Sequence, residues 1–284
     1  MAKKLKNGES DPFGAKSVAE NLKGVKHVII VMSGKGGVGK STVAANLGFY
    51  LSWSGNEVGL LDADIHGPTI PQMFGAGSTQ LEMSPSGKMV PAEVTPHLKV
   101  ISMGFLLRSQ DAPVVWRGPV KMGAIKQFLG EVDWGELDYL IIDLPPGTGD
   151  EPLSIAQLLP KADGIIIVTT PQEVALLSVR KSINFASVLN IPVLGMIENM
   201  AGFSCPHCNK EIELFRRGAA EKAASDFKVK MLGSIPVDPK IAADADKGMP
   251  FVLSENGSAS ANAFREIVDK LKSQLDKKAI QPAG

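Results

Sequence analysis

The sequence predicts an α/β fold, a mostly parallel sheet with helices on both faces, and three observations predict it. Seven short runs, "HVIIVMS", "EVGLLDAD", "LKVISM", "YLIIDLPPG", "DGIIIVTTP", "VLGMIENM" and "KMLGSIPVD", are rich in β-branched residues and almost continuously apolar. Strands covered on both faces look like this, whereas half-exposed strands alternate. Longer segments of helical period separate the runs, which is the rhythm of βαβ units. The first run also leads through "SGKGGVGKST" into "VAANLGFYL", the order strand, glycine-rich loop, helix.

Composition bounds the rest. The chain has 284 residues, 44% hydrophobic and 21% charged, enough to build a real core. Lys plus Arg and Asp plus Glu both number 30, so there is no global positive field of the kind that drives nucleic-acid binding, and no nucleic-acid partner is expected. No apolar stretch reaches the length of a membrane span, and "MAKKLKNGESDPFG" lacks the apolar centre of a secretory signal. A cytoplasmic protein without a membrane partner is expected. Residues 1–25 are assigned to a flexible N-terminal tail, 26–276 to one domain, and 277–284 to a C-terminal tail.

Along the domain, the first loop matches G-x-x-x-x-G-K-[ST] at Gly34, Gly39, Lys40 and Ser41. Gly36, Gly37 and Gly39 let backbone N–H groups turn in on a phosphate, and the following helix adds its N-terminal dipole. Lys40 supplies a charge, and the Ser41 hydroxyl is suited to magnesium. The whole stretch from Gly34 to Thr42, Val38 included, is therefore a nucleotide-binding candidate. Asp64 follows the end of the second strand run, either in the site or as a cap for "PTIPQMF". Residues 75–97 are rich in Gly, Ser and Pro and are expected to form a surface excursion containing a hairpin. Asp143 closes "YLIID" and is placed to hold the magnesium water shell.

The two cysteines of the chain, Cys205 and Cys208, lie in "FSCPHCNK". Two residues of spacing suit zinc knuckles, redox dithiols and iron–sulfur sites alike, and the spacing does not choose among them. A closed zinc site or a four-iron four-sulfur cluster wants about four protein ligands. Two sulfurs per chain therefore point to a two-fold dimer, in which symmetry brings a second pair opposite the first. His207, between the cysteines, is expected to face away.

Taken together, "KGGVGKST", "DADIHGPTIP", "VVWRGP", "DYLIIDLPPGTGDE", "IENM" and "CPHC" resemble the Mrp/ApbC family of iron–sulfur cluster carriers. That family lies within the deviant Walker A class of P-loop NTPases, which also contains MinD, ParA and the nitrogenase iron protein. The resemblance spans about residues 26–276 and implies a slow ATP hydrolase using ATP and Mg2+. It implies a homodimer that carries a [4Fe-4S] cluster between its subunits on Cys205 and Cys208 and delivers it to apo iron–sulfur proteins. It makes Lys40 the lysine that binds nucleotide in its own subunit and Lys35 the lysine that reaches the partner's nucleotide. It gives Asp64 the task of orienting the attacking water, and Asn199 and Asp238 that of recognising adenine.

Two departures stand out: Arg216 and Arg217 in "LFRRGAAEKAA" occupy positions where small residues are usual, and no cysteine cluster or acidic domain precedes the loop. A short, minimal form, as in archaea and some bacteria, is expected. The alternative is a MinD/ParA-like positioning ATPase with a zinc-clasped dimer. Its ParA-like form would want a basic face, which the balanced charge disfavours; its MinD-like form would need a membrane-binding C-terminal helix, and "ANAFREIVDKLKSQLDKK" does place Phe264, Ile267, Val268, Leu271 and Leu275 on one face. Its mixed charges favour docking on its own core.

Overall fold

The chain is described here from a computed structural model, which covers residues 14–65, 67–106, 118–204, 208, 211–212, 218–253 and 258–280. In chain order the elements begin with α1 (Ala15–Asn21), β1 (Val25–Met32), α2 (Lys40–Trp53), β2 (Val58–Asp62) and α3 (Ile70–Met73). The short strands β3 (Glu82–Met83), β4 (Met89–Val90) and β5 (Ala92–Thr95) lead to β6 (Leu98–Ser102), α4 (Gly118–Gly130), β7 (Leu137–Asp143) and α5 (Asp150–Leu158). There follow β8 (Gly164–Thr169), α6 (Glu173–Val188), β9 (Val193–Ser204), β10 (Glu211–Ile212), α7 (Ala219–Asp226), β11 (Met231–Val237), α8 (Pro239–Asp246) and α9 (Ala259–Ile280).

The main sheet runs β10-β9-β8-β1-β7-β2-β6-β5, with β11 also paired to β9. All seven apolar runs of the sequence become its parallel strands, and the antiparallel strands β5 and β10 lie outside them. Along β1, Val28, Ile30 and Met32 enter one core while Ile29 and Val31 enter the other. The continuous hydrophobicity of the run is thus the sum of two alternating faces. One face packs on α4, through Ile125, Phe128 and Leu129, and on α5, α6 and α7. The other packs on α2, through Val43, Leu47 and Leu51, and on α9. The expected excursion contains the β3–β4 hairpin, while β5 returns to the main sheet.

Two boundaries differ from expectation. Residues 15–21, assigned to a tail, form α1, whose Val18 enters the core together with Leu22 just beyond the helix. Asn21 fixes it by donating to the carbonyls of Leu129 and Val132. The helix is made by burial of two residues against α4, a tertiary effect with little local signal. At the other end α9 continues past residue 276 to Ile280. Its apolar stripe is not left for a membrane: Phe264, Ile267, Val268, Leu271 and Leu275 are buried in the core. Among the described residues no helix is long and apolar enough to cross a membrane.

That docking has a measurable cost when broken. Phe264→Ala should lower unfolding free energy by about 3–5 kcal/mol, as large-to-small changes in a packed core do. Glu266→Ala on the exposed face of the same helix should stay within about 0.5 kcal/mol of wild type. Urea denaturation of both variants checks this, and equal effects would mean that α9 is not docked.

Candidate nucleotide site

The site forms at the carboxyl ends of the parallel strands, where the loop after β1 meets the ends of β2, β7 and β9. Loop residues Gly37 and Gly39 have φ of 75° and 80°, left-handed values that glycine adopts without penalty. At Gly36 and Gly37 a Cβ would meet nothing within 4 Å, so the hollow side of the loop is open. Gly34 serves a different need, because a Cβ there would overlap the backbone carbonyl of Ser178 in α6. The loop is tied down by Ser33, whose hydroxyl donates to the Lys35 carbonyl (2.9 Å) and whose own carbonyl accepts from Gly147 N (2.8 Å).

Lys40 begins α2 and is only 6% exposed. Its ammonium donates to Asp143 Oδ1 at 2.7 Å and to Ser41 Oγ at 3.1 Å, and lies 3.8 Å from Asp64 Oδ2. Ser41 Oγ donates in turn to Asp143 Oδ2 at 2.6 Å. The fold thus brings Lys40, Ser41, Asp143 and Asp64 to one point from three separate stretches of chain. Among the described residues no group of three or more His, Cys, Asp or Glu is placed to hold a metal ion. Magnesium would be held here by Ser41 and water together with nucleotide phosphates, its usual mode in such sites.

Beside the loop lies a cavity of about 270 Å³ lined by Thr42, Asn199, Met200, Val237, Asp238 and Phe251, among others. Asn199 Nδ2 donates to the Val38 carbonyl (3.0 Å). Asp238 caps α8, accepting from Lys240 N, while also facing the cavity. Lys35 points the other way, donating from Nζ to Gln172 Oε1 at 2.8 Å, at the start of α6. Cys208 is exposed. Cys205, His207, Arg216 and Arg217 lie outside the described residues.

The sequence reading missed Asp62. It is wholly buried, pairs in register with Asp143 across β2 and β7, and accepts from Ser102 Oγ (2.8 Å) and from Asp64 N (3.1 Å). It therefore orients the turn that presents Asp64. Burial first, and the neighbouring Asp143 charge second, push its carboxyl from an ordinary 3.8 up to about 8, against the Ser102 hydrogen bond and the Lys40 charge. Burial also raises Asp143, opposed by the Lys40 charge and the hydrogen bonds from Lys40 and Ser41. The available signal was the matching position of the acids that end "GLLD" and "LIID". Gln172 had none, being brought to Lys35 only by folding.

The family described as ParA: NUBPL iron-transfer P-loop NTPase matches residues 24–272. The iron-sulfur cluster carrier protein of Methanocaldococcus jannaschii is 51% identical over 261 residues, 92% of this chain and 89% of that protein. Among solved structures, a nucleotide-binding protein from Archaeoglobus fulgidus in complex with ADP aligns with a TM-score of 0.73 and 42% identity, over 82% of this chain and 91% of its own. The cell division protein MinD of Aquifex aeolicus shares the fold, with a TM-score of 0.61 at 22% identity over 87% of this chain and 97% of its own. The family and the fold expected from the sequence motifs are both borne out.

The Asp62 environment predicts a pH signature. Because its folded value lies above its unfolded one, the folded state keeps a proton that the unfolded state releases between about pH 4 and pH 8, and stability falls as pH rises through that window. Asp62→Asn mimics the neutral acid and removes the loss. Denaturation without nucleotide or magnesium, run from about pH 5 to pH 8, should shift progressively in favour of the variant relative to wild type. A difference independent of pH would place Asp62 in the ordinary carboxylate range.

Proposed function

The chain belongs to the family of NUBPL iron-transfer P-loop NTPases, and on that premise we propose that it is an ATP-hydrolysing iron–sulfur cluster carrier. In this proposal a homodimer holds one four-iron four-sulfur cluster between its subunits, on Cys205 and Cys208 of each, and passes it to apo iron–sulfur proteins in the cytoplasm. The observation that carries it is one of connection. β9 passes the nucleotide cavity at Asn199 and Met200 and runs on to Ser204, where β10 pairs back against it through Glu211. Both cysteines lie in the chain that joins these strands, so the candidate cargo ligands follow directly on the strand that lines the nucleotide cavity. The ADP complex of the Archaeoglobus relative and the name of the Methanocaldococcus relative support the two halves of the proposal.

Each residue then has a task. The backbone N–H groups from Gly36 to Gly39 cradle phosphate, and Lys40 exchanges its Asp143 partner for phosphate oxygen when nucleotide enters. Ser41 would hold magnesium and Asp143 its water shell, and the ion would supply positive charge against the phosphates. Asp64 orients the water whose oxygen bonds to the γ-phosphorus as the bond to the bridging oxygen of ADP breaks. Lys35, held by Gln172 within one chain, leaves it for a nucleotide on a partner subunit. Adenine occupies the cavity between Asn199 and Asp238. The positioning-ATPase alternative loses its main support because the apolar face of α9 is buried in the chain's own core.

The cargo is tested by counting. Anaerobically reconstituted wild type should hold about four iron and four sulfide per two chains, since each chain offers two thiolates. Cys205→Ser and Cys208→Ser should each abolish stable cluster binding, serine being a poor soft-metal ligand, while ATP binding persists. A protein that keeps one zinc per dimer and cannot exchange it for a cluster would contradict the carrier proposal.

The two lysines should separate. Lys40→Ala removes a charged hydrogen bond of roughly 1.5–3 kcal/mol and should weaken ATP binding about ten- to a hundredfold. It also leaves Asp143 buried without its cation, so thermal stability should fall as well. Lys35→Ala should retain most nucleotide binding by the monomer but lose ATP-dependent dimerisation and turnover. Identical binding defects in both variants would overturn the assignment of the two lysines to different subunits' nucleotides.

A further inference from the structure

Asn199 is more than a wall of the cavity. Its Nδ2 holds the Val38 carbonyl of the phosphate loop, and its Oδ1 accepts from Met200 N at 3.0 Å. The contact with the loop is so close that a Cβ on Gly39 would overlap the amide. Immediately beyond, Met200 has φ of 61° and Gly202 has φ of 84°. A left-handed methionine is strained and persists only where its surroundings enforce it. Here the enforcing contact is the Asn199 side chain itself.

The same place is an irregularity of the sheet. From Asn199 to Phe203, β9 advances four residues while its partner β11 advances two, Ile235 to Val237. The slack lies in residues 200–202, between the regular part of the strand and the root of the cysteine hairpin, where Phe203 pairs with both Val237 and Ile212. Met200 on β9 and Val237 on β11 both line the nucleotide cavity. A joint of two left-handed residues is therefore bounded on one side by the phosphate loop and base cavity, and on the other by the strand pair that leads to the cysteines.

We propose that Asn199 is a positioning residue that couples nucleotide occupancy to the cysteine hairpin through the joint at Met200–Gly202. Phosphate draws the loop N–H groups inward, the Val38 carbonyl moves with them, and Asn199 carries that movement to Met200 N. A ligand shifts a conformation only through contacts that differ between its states, and these two hydrogen bonds and the cavity wall are those contacts. Coupling of this kind is reciprocal, so whatever binds the cysteines changes nucleotide affinity by the same factor. The proposal rests on the carrier function for the identity of the cargo alone, because the coupling is measurable without cargo.

The test uses the reduced, metal-free full chain and follows alkylation of Cys208 by a maleimide, resolved by peptide mass, with and without saturating Mg-ADP or a non-hydrolysed ATP analogue. In wild type, nucleotide should change the alkylation rate about fivefold or more, the usual scale of such coupling. Asn199→Ala, which loses both bonds, and Asn199→Asp, which loses the donor to Val38, also lose part of the adenine wall, so each is compared at a nucleotide concentration shown by calorimetry to saturate it, where Cys208 reactivity should change little on binding. A wild-type rate indifferent to nucleotide, with binding confirmed in the same sample by calorimetry, would overturn the proposal without touching the cluster count. So would a full nucleotide response in saturated Asn199→Ala.

Discussion

A lysine ammonium taken almost wholly out of water must be neutralised inside the fold, and the pair of Lys40 with Asp143 meets that demand at 2.7 Å. Much of the architecture serves this contact. Asp143 must end β7, and β7 must lie directly beside β1, with Val31 opposite Asp143, so that the loop after β1 brings Lys40 back over the strand end. The carboxyl edge of a parallel sheet is where such a meeting is geometrically available. Placing β2 on the far side of β7 sets Asp62 opposite Asp143 as well. The buried site thus holds one cation among three nearby carboxyl groups, and a raised Asp62 is the electrostatic consequence. Phosphate carries the charge to pair with Lys40, and the open side of the glycine loop offers it room.

The same strand edge explains how a nucleotide site and a pair of cysteines come to share a small domain. β8 pairs with β9 only up to Glu198, so the strand is released from that neighbour as it passes the cavity. Its last residues pair instead with the end of β11 and with β10. Cys208, in the chain between β9 and β10, is exposed. Upstream of it, Asn199 ties β9 to the phosphate loop through the Val38 carbonyl.

What was legible in the sequence was what burial writes into residue type. Seven strands sheltered on both faces read as seven apolar runs, and the complete glycine-rich motif located Lys40 and Ser41. Features made by tertiary contact were not legible. α1 rests on two buried side chains, Val18 and Leu22, in an otherwise polar stretch. β9 overruns its apolar core by four residues through left-handed Met200 and Gly202. Asp62 and Asp64 stand two apart in "DAD", and the letters do not say that the first is sealed beneath Asp143 while the second faces the phosphate loop. The contact of Lys35 with Gln172 spans 137 positions, a distance no local pattern reports.

The proposed function joins nucleotide chemistry to the delivery of an iron–sulfur cluster in one protein. Its most direct measurement is the rate at which cluster-loaded protein activates an apo iron–sulfur enzyme under anaerobic conditions, with an iron chelator present, with and without Mg-ATP. Direct delivery predicts activation that the chelator does not suppress and that Mg-ATP changes in rate. Activation abolished by the chelator would mean that iron is merely shed into solution, and a rate indifferent to Mg-ATP would separate the nucleotide site from the cargo; either result would contradict the account.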